Sequence, residues 1–465
     1  MNKTGAVAGV VLVVVGAAWA GSTWYSSQHM ESYYRENVQK FNASTLSPVT
    51  IKLTSFKSGF LQSRANWEVS LTLDPCQPDN SMVLTGYDEI HNGFIPSLGW
   101  ASIDTHVIWP DSVEAQIREV FKGQQPLTLH SRVNLLGSVN TRISSPAAQW
   151  QGKTIQLNWQ GMQGSLKVAA NHKVKFDLKA PKLLVKNLAS NSGSLALDGL
   201  RYEGEQKAGE SMLPLGRTAF SLDSLQANLA QQQWGLRDVS FSNNSQVNKG
   251  VLSAEARYNI KKILLGQHDI GNFKANLMLG HIPAQAAQQS YVAFNRLQRQ
   301  CNPSATDFLK ALEPILQHGF QVNLSQADLN LFQGKAQANA LIVMQPITAA
   351  AQQSPQHILH NVLANGKLQV SDQLLSGFFE QVSHLKGQPM SPAEAGQTVQ
   401  MLMQGMLQQG YFTKTATGYQ TTFALSDGQP SMNGKPLGNS TGHDLAANAA
   451  IDEAHQTDKI LSATK

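Results

Sequence analysis

Charge is scarce in this chain. Of 465 residues, 36 are Lys or Arg and 31 are Asp or Glu, 14% together, and no run of one sign stands out. The net charge of +5 is scattered, whereas a nucleic-acid binder gathers its cations into a stripe, so nucleic acid is not an expected partner. Cysteine is scarcer still, with only Cys76 in DPCQP and Cys301 in RQCNP, too few for a cysteine-built metal framework. Acidic residues are too sparse to nominate a pair for proton transfer. A Gly-rich phosphate loop, a GxSxG elbow, kinase motifs and HExxH are all missing. His357 and His360 are the one close histidine pair, without a carboxylate to match, and read as a solvated helix start after Pro355. The expectation is a protein that is not an enzyme and has no cofactor or metal site.

One long apolar run is present. Residues 5–21 carry no polar side chain, with Lys3 before them and Glu31 the first acid after them. At 1.5 Å per residue the stretch from Gly5 through Val11, Leu12, Val15 and Trp19 to Tyr25 covers ~30 Å, the thickness of a bilayer's hydrocarbon core. Trp19, Trp24 and Tyr25 gather at the far end, where amphipathic rings favour the membrane interface. Ala18-Trp19-Ala20 also spells a signal-peptidase site, but a cleavable core is shorter, ~7–15 residues, so retention is the reading. Residues 1–27 are then a membrane anchor, and Lys3 on the cytoplasmic side puts the rest outside. In an exported chain Cys76 and Cys301 are a candidate disulfide; the alternative is two unrelated thiols.

Beyond HMESYYRENVQKFN, read as a short polar helix, the period of the sequence becomes two. VTIKLTSF alternates Val49, Ile51 and Leu53 with Thr50, Lys52 and Thr54, and WEVSLTL, SIDTHVIW, LTLHSRVNL, TIQLNW and HKVKFDLK do the same. Strands with one apolar face belong to antiparallel sheets, because buried parallel strands are apolar throughout. Between 190 and 280 SLALDGLRYEG, AFSLDSLQANL, WGLRDVSFSNN and GNFKANLML follow one another as a loose repeat, which predicts a long, trough-like meander. Helical signals appear only later: Ser304 with Asp307 as a capping box, the set Leu374, Leu375, Phe378, Phe379 and Val382, and PAEAGQTVQMLMQGMLQQG, with two further strands, QVNLSQADLNLF and KAQANALIVM, between them. Met390, Met401, Met403 and Met406, like Phe378 and Phe379, read as core filling. The expected class is α+β and β-rich, with long antiparallel sheets at 28–283, an α+β region at 284–437, and a polar, disordered tail at 438–465. A chain of this length exceeds a single ordinary core.

The apolar opening ending in Trp19 and Gly21, Ser-Phe-Lys-Ser-Gly-Phe-Leu-Gln-Ser at 55–63 and Met-Asn-Gly-Lys-Pro-Leu at 432–437 resemble the YdgA/YihF family of Gram-negative bacteria. The resemblance implies an inner-membrane-anchored envelope protein, with the bulk of the chain in the periplasm and no catalytic residues to carry over. By architecture the chain also looks like the AsmA-like class, whose strand-built troughs are implicated in moving lipid. Two expectations stay open: a sheet groove that shields phospholipid acyl chains, or a scaffold that binds another envelope protein.

Overall fold

The computed structural model describes residues 49–437, apart from 60–61, 73, 78–80, 96–98, 135–137, 172, 188–192, 209–212, 230–231 and 349–354, together with six helical positions between 31 and 42. The expected anchor residues and the 438–465 tail lie outside the described residues. No helix among those described is long and apolar enough to cross a membrane.

One antiparallel sheet carries the whole described chain. Its first strands are β1 (Val49–Lys57), β2 (Gln62–Leu71), β3 (Met82–Ile95), β4 (Gly99–Ile108), β5 (Thr128–Val133) and β6 (Val139–Ser145), each paired with the next. After β7 (Ala148–Gln151) and β8 (Ile155–Trp159) the chain returns with β9 (Met162–Val168), which pairs β6. The long strands follow as β10 (Lys173–Asn187), β11 (Gly193–Ala208), β12 (Pro214–Leu229), β13 (Gln232–Asn248), β14 (Val251–Leu265) and β15 (His268–Pro283). Next come β16 (Phe320–Leu331), β17 (Gly334–Met344), β18 (Val362–Ser371), β19 (Thr413–Lys414), β20 (Gly418–Ser426), β21 (Gln429–Met432) and β22 (Lys435–Pro436). From β9 to β18 each strand hydrogen-bonds the next, and β20 follows β18. The β7–β8 hairpin fills the half of β10 that β9 leaves free. The sheet therefore runs unbroken through residue 283, where the sequence changes character.

Six helices interrupt the meander: α1 (Asp111–Val120), α2 (Ala284–Leu297), α3 (Ala305–His318), α4 (Pro355–His360), α5 (Asp372–Leu385) and α6 (Pro392–Gln408). The capping box at Ser304 and Asp307 starts α3, and a second one, Ser391 with Glu394, starts α6. Helix α1 corrects the expectation that helices appear only in the second half. Its apolar stripe, Val113, Ile117, Val120 and Phe121, is only half-buried, and its first turn carries Asp111 and Glu114, with a Glu114–Arg118 pair.

The first lobe is curled tightly. One cluster unites Val49 and Ile51 of β1 with Leu166 and Val168 of β9 and with Val174 and Phe176 of β10, strands far apart in the sheet order. The apolar face is thus on the inside of the curl. Gly86 lies opposite Trp67, where an added Cβ would fall 2.3 Å from the indole, so the ring lies flat on the backbone. The 31–42 helix is also packed here: Tyr34 and Val38 are buried, which corrects its reading as a polar spacer.

Candidate functional site: an open apolar sheet face

The two faces of β10–β18 differ sharply in chemistry. Cross-strand register builds one row of Leu178, Tyr202, Phe220, Phe241, Tyr258, Ala275, Ala327, Ala338 and Leu368, each directly opposite the next. A second row runs through Val239, Ile260, Phe273, Leu329, Ala336 and Val370. A third joins Leu183, Leu197, Leu225, Leu236 and Ile263. The opposite face carries Lys175 with Glu205, Lys182 with Asp198, Arg201 with Asp177, and Arg257 with Glu255.

Keeping the apolar set on one side takes a specific device. In β10 it occupies even positions up to Ala180 and odd ones from Leu183, and β11 to β14 each switch parity at the same level. Trp159, directly opposite Leu183, packs with Leu178 and Ala180, so the residues on both sides of the switch share a face. At that level the pairs among Pro181, Gly199, Asp223, Asp238 and Lys261 drop out of the ladders, and Gly199 and Asp238 take φ of 65° and 50°. Each strand gains one residue there, so register between neighbours is preserved while the pleat reverses.

This face is buried only in places. In the first lobe it forms a closed core. The α2–α3 pair covers Leu252, Leu279 and Phe320 at one set of strand ends, through Ala287, Tyr291 and Ile315. The α5–α6 pair covers Val370 and Tyr419 with Leu375, Phe379, Val399 and Met403. Between these, Phe220, Leu236, Phe241, Ile260 and Phe273 are half-buried, and Tyr202 and Tyr258 are 38% and 42% exposed. Phe176 meets Tyr202, and Phe241 meets Tyr258, as tilted ring pairs at separations of 4.8 and 4.9 Å, so neighbouring strands support each other along this face.

Ionisable chemistry is concentrated elsewhere. Asp88 is buried in the first lobe and accepts from Thr105 Oγ1 at 2.7 Å, Tyr34 Oη at 2.8 Å and Trp67 Nε1 at 3.3 Å. Burial pushes its carboxyl up, against the opposing pull of those donors and of His106. The Tyr34 phenol is pushed well above its ordinary range by burial and then by the Asp88 charge. The arrangement seats the 31–42 helix on the sheet. No cluster of His, Cys, Asp and Glu among the described residues is placed to hold a metal. His357 and His360 stand exposed on α4.

Of the residues singled out in the sequence, Gly5, Val11, Leu12, Val15, Trp19, Trp24 and Tyr25 lie outside the described residues. Cys76 and Cys301 are joined, with Cα atoms 4.5 Å apart. Of the four methionines singled out, Met403 is core; Met390, Met401 and Met406 are 36, 68 and 40% exposed, and Phe378 is 54% exposed, which corrects the core reading of those three methionines and Phe378. The helical spacing of α6 is genuine, but the helix lies at the sheet's margin and has too little cover to bury all its apolar residues.

The two motifs behind the resemblance are turns. In 55–63 the Gly59 N–H donates to Ser63 Oγ in the β1–β2 connection. In 432–437 Asn433 and Gly434 take φ of 48° and 76° between the paired Met432 and Lys435, a type I′ hairpin. The Asn433 side chain accepts from the Thr422 N–H and donates to Tyr411 O, and Lys435 Nζ donates to Gln409 O, which ties the sheet's last hairpin to the end of α6.

Over residues 1–439 the chain matches the family described as a bacterial protein of unknown function (DUF945). The chain belongs to that family. It is 21% identical to Protein YdgA of Escherichia coli (strain K12), across 94% of this chain and 95% of that protein. No solved structure matches it.

Proposed function

We propose that the protein is an inner-membrane-anchored periplasmic envelope protein, without catalytic chemistry, whose curved sheet is a trough that shields the acyl chains of phospholipid. One observation carries this reading: the longest apolar row crosses nine strands, ~38 Å at ~4.8 Å per strand, and stays half-exposed through the middle. A closed core has no need of such rows once its helices are placed. Each methylene laid on them contributes about 0.8 kcal/mol, so ten contribute about 8 kcal/mol against the cost of association. The apolar N-terminal run supports a tether at the membrane that supplies the lipid.

Lipid extracted from the purified full chain tests it. Phospholipid is expected by mass spectrometry in the native chain and lost in Tyr258→Glu, whose added charge faces the trough without crowding a closed core. A chain free of lipid, or a variant that retains it, sinks the reading.

A second reading, a scaffold for another envelope protein, is favoured by Phe378, Met401, Leu402 and Met406, which α5 and α6 leave exposed. Crosslinking from Met401 to a specific protein, with no lipid in the trough, would support it.

A further inference from the structure

The Cys76–Cys301 disulfide sits where it can control the trough. Cys76 lies between β2 and β3 in the first lobe, and Cys301 in the turn between α2 and α3. Along the sheet, β2 and β15 are eleven strand steps apart, ~53 Å if the sheet were flat at ~4.8 Å per step. Helix α2 leaves directly from the end of β15, and its fourteen residues at helical rise plus the four that follow to Cys301 reach at most ~34 Å. The sulfurs meet because the curl of the first lobe packs the β1–β2 pair against β9 and β10, which leaves five strand steps to β15, ~24 Å, for the hairpin to span. Its packing on Leu252, Leu279 and Phe320 puts it on the apolar side, over one end of the rows. Besides the disulfide, Arg299 Nη2 donates to Asn42 O at 2.8 Å, so the tip of the hairpin is tied to the first lobe beside the 31–42 helix.

Both cysteines are exposed. An exposed disulfide is open to thiolate attack, and a buried one is not. The base of the hairpin is held independently of the bond, by Ala287, Leu316 and Ile315 in their clusters. Cutting the bond therefore removes the tip's covalent tie and leaves it on non-covalent contacts such as Arg299 with Asn42, while the helices stay seated at their base.

We propose that the α2–α3 hairpin is a redox strap: the Cys76–Cys301 bond holds it across one end of the acyl-chain trough, and reduction opens that end to lipid exchange. The proposal rests on the trough reading and concerns its regulation. In the step a dithiol reductant supplies two electrons and two protons, the Sγ–Sγ bond breaks to two thiols, and the reductant leaves as its own disulfide.

The test uses the full chain loaded with a dansyl-labelled fatty acid, whose fluorescence rises in an apolar site, and follows its release into excess unlabelled fatty acid. Release is expected to quicken by about tenfold or more on reduction with a phosphine and thiol alkylation, as for opening of a lid. Cys76→Ser should release at that faster rate and ignore the reductant. Equal release before and after reduction overturns the strap and leaves the trough standing. Absence of probe binding in every form overturns the trough itself. Circular dichroism of the reduced wild-type chain guards against a variant that misfolds: loss of its strand signal would make the bond a structural staple and would also overturn the strap.

Discussion

At the scale of single residues, the first lobe depends on one buried carboxyl. Asp88 gathers donors from the 31–42 helix, β2 and β4, so Asp88→Ala leaves Tyr34, Trp67 and Thr105 without an acceptor. A loss of about 3 kcal/mol in denaturant unfolding is expected. The pH dependence follows from the direction of the shift. Because folding raises the Asp88 pKa, its contribution is full below the unfolded carboxyl pKa and fades as pH rises through the folded value. Asp88→Asn should remove that fading, seen as a flatter stability-against-pH curve, while keeping acceptors for Thr105 and Trp67. Asn433→Ala loses both the hairpin's left-handed preference and two bonds to neighbouring backbone, and about 2 kcal/mol should go with it. Little of this was legible beforehand. The buried role of Tyr34 is hidden in HMESYYRENVQKFN because its partner, Asp88, stands 54 positions away in a strand that reads as ordinary.

At the scale of elements, the sequence pattern identified β1, β2, β4, β5, β8, β10 to β13 and β15 to β17 directly. What it missed has physical causes. α1 shows its helical spacing, Val113, Ile117 and Val120, over only ten residues between two strands, and in the long strands the pleat reversal makes an apolar set that is continuous in space look like a loose, broken repeat in sequence. The Asp and Gly in LDG, LDS and LRD mark those reversals. Exposure separates the residues of α6 that spacing had grouped. Met403→Ala should cost about 3 kcal/mol as a core deletion, whereas Met401→Gln and Phe378→Gln should fall within about 0.5 kcal/mol of the parent chain in thermal or denaturant unfolding. If Met401→Gln destabilised as much as Met403→Ala, the exposed face of α6 would be covered by a partner in the folded state.

At the scale of the whole molecule, the antiparallel, β-rich character with helices gathered late was legible from alternation, but the continuity was not. The sequence pattern divides the chain at 283, without marking the helix at Ala284–Leu297, yet β15 pairs β16 across two intervening helices, a pairing that periodicity cannot carry. Nor does alternation distinguish a closed core from an open face, since both need the same one-sided strands. The distinction lies in what covers the face. The curl of the first lobe buries it, while the two helix pairs reach only its margins farther along.

The central claim is that the middle of this face holds acyl chains, and the most direct measurement replaces Tyr258 or its neighbour Arg257, one at a time, with a photo-reactive residue in the full chain in cells. The two positions differ only in the face they present. Phospholipid adducts, identified by mass spectrometry, are predicted from position 258 and absent from 257; adducts from neither position, or equally from both, would contradict the account.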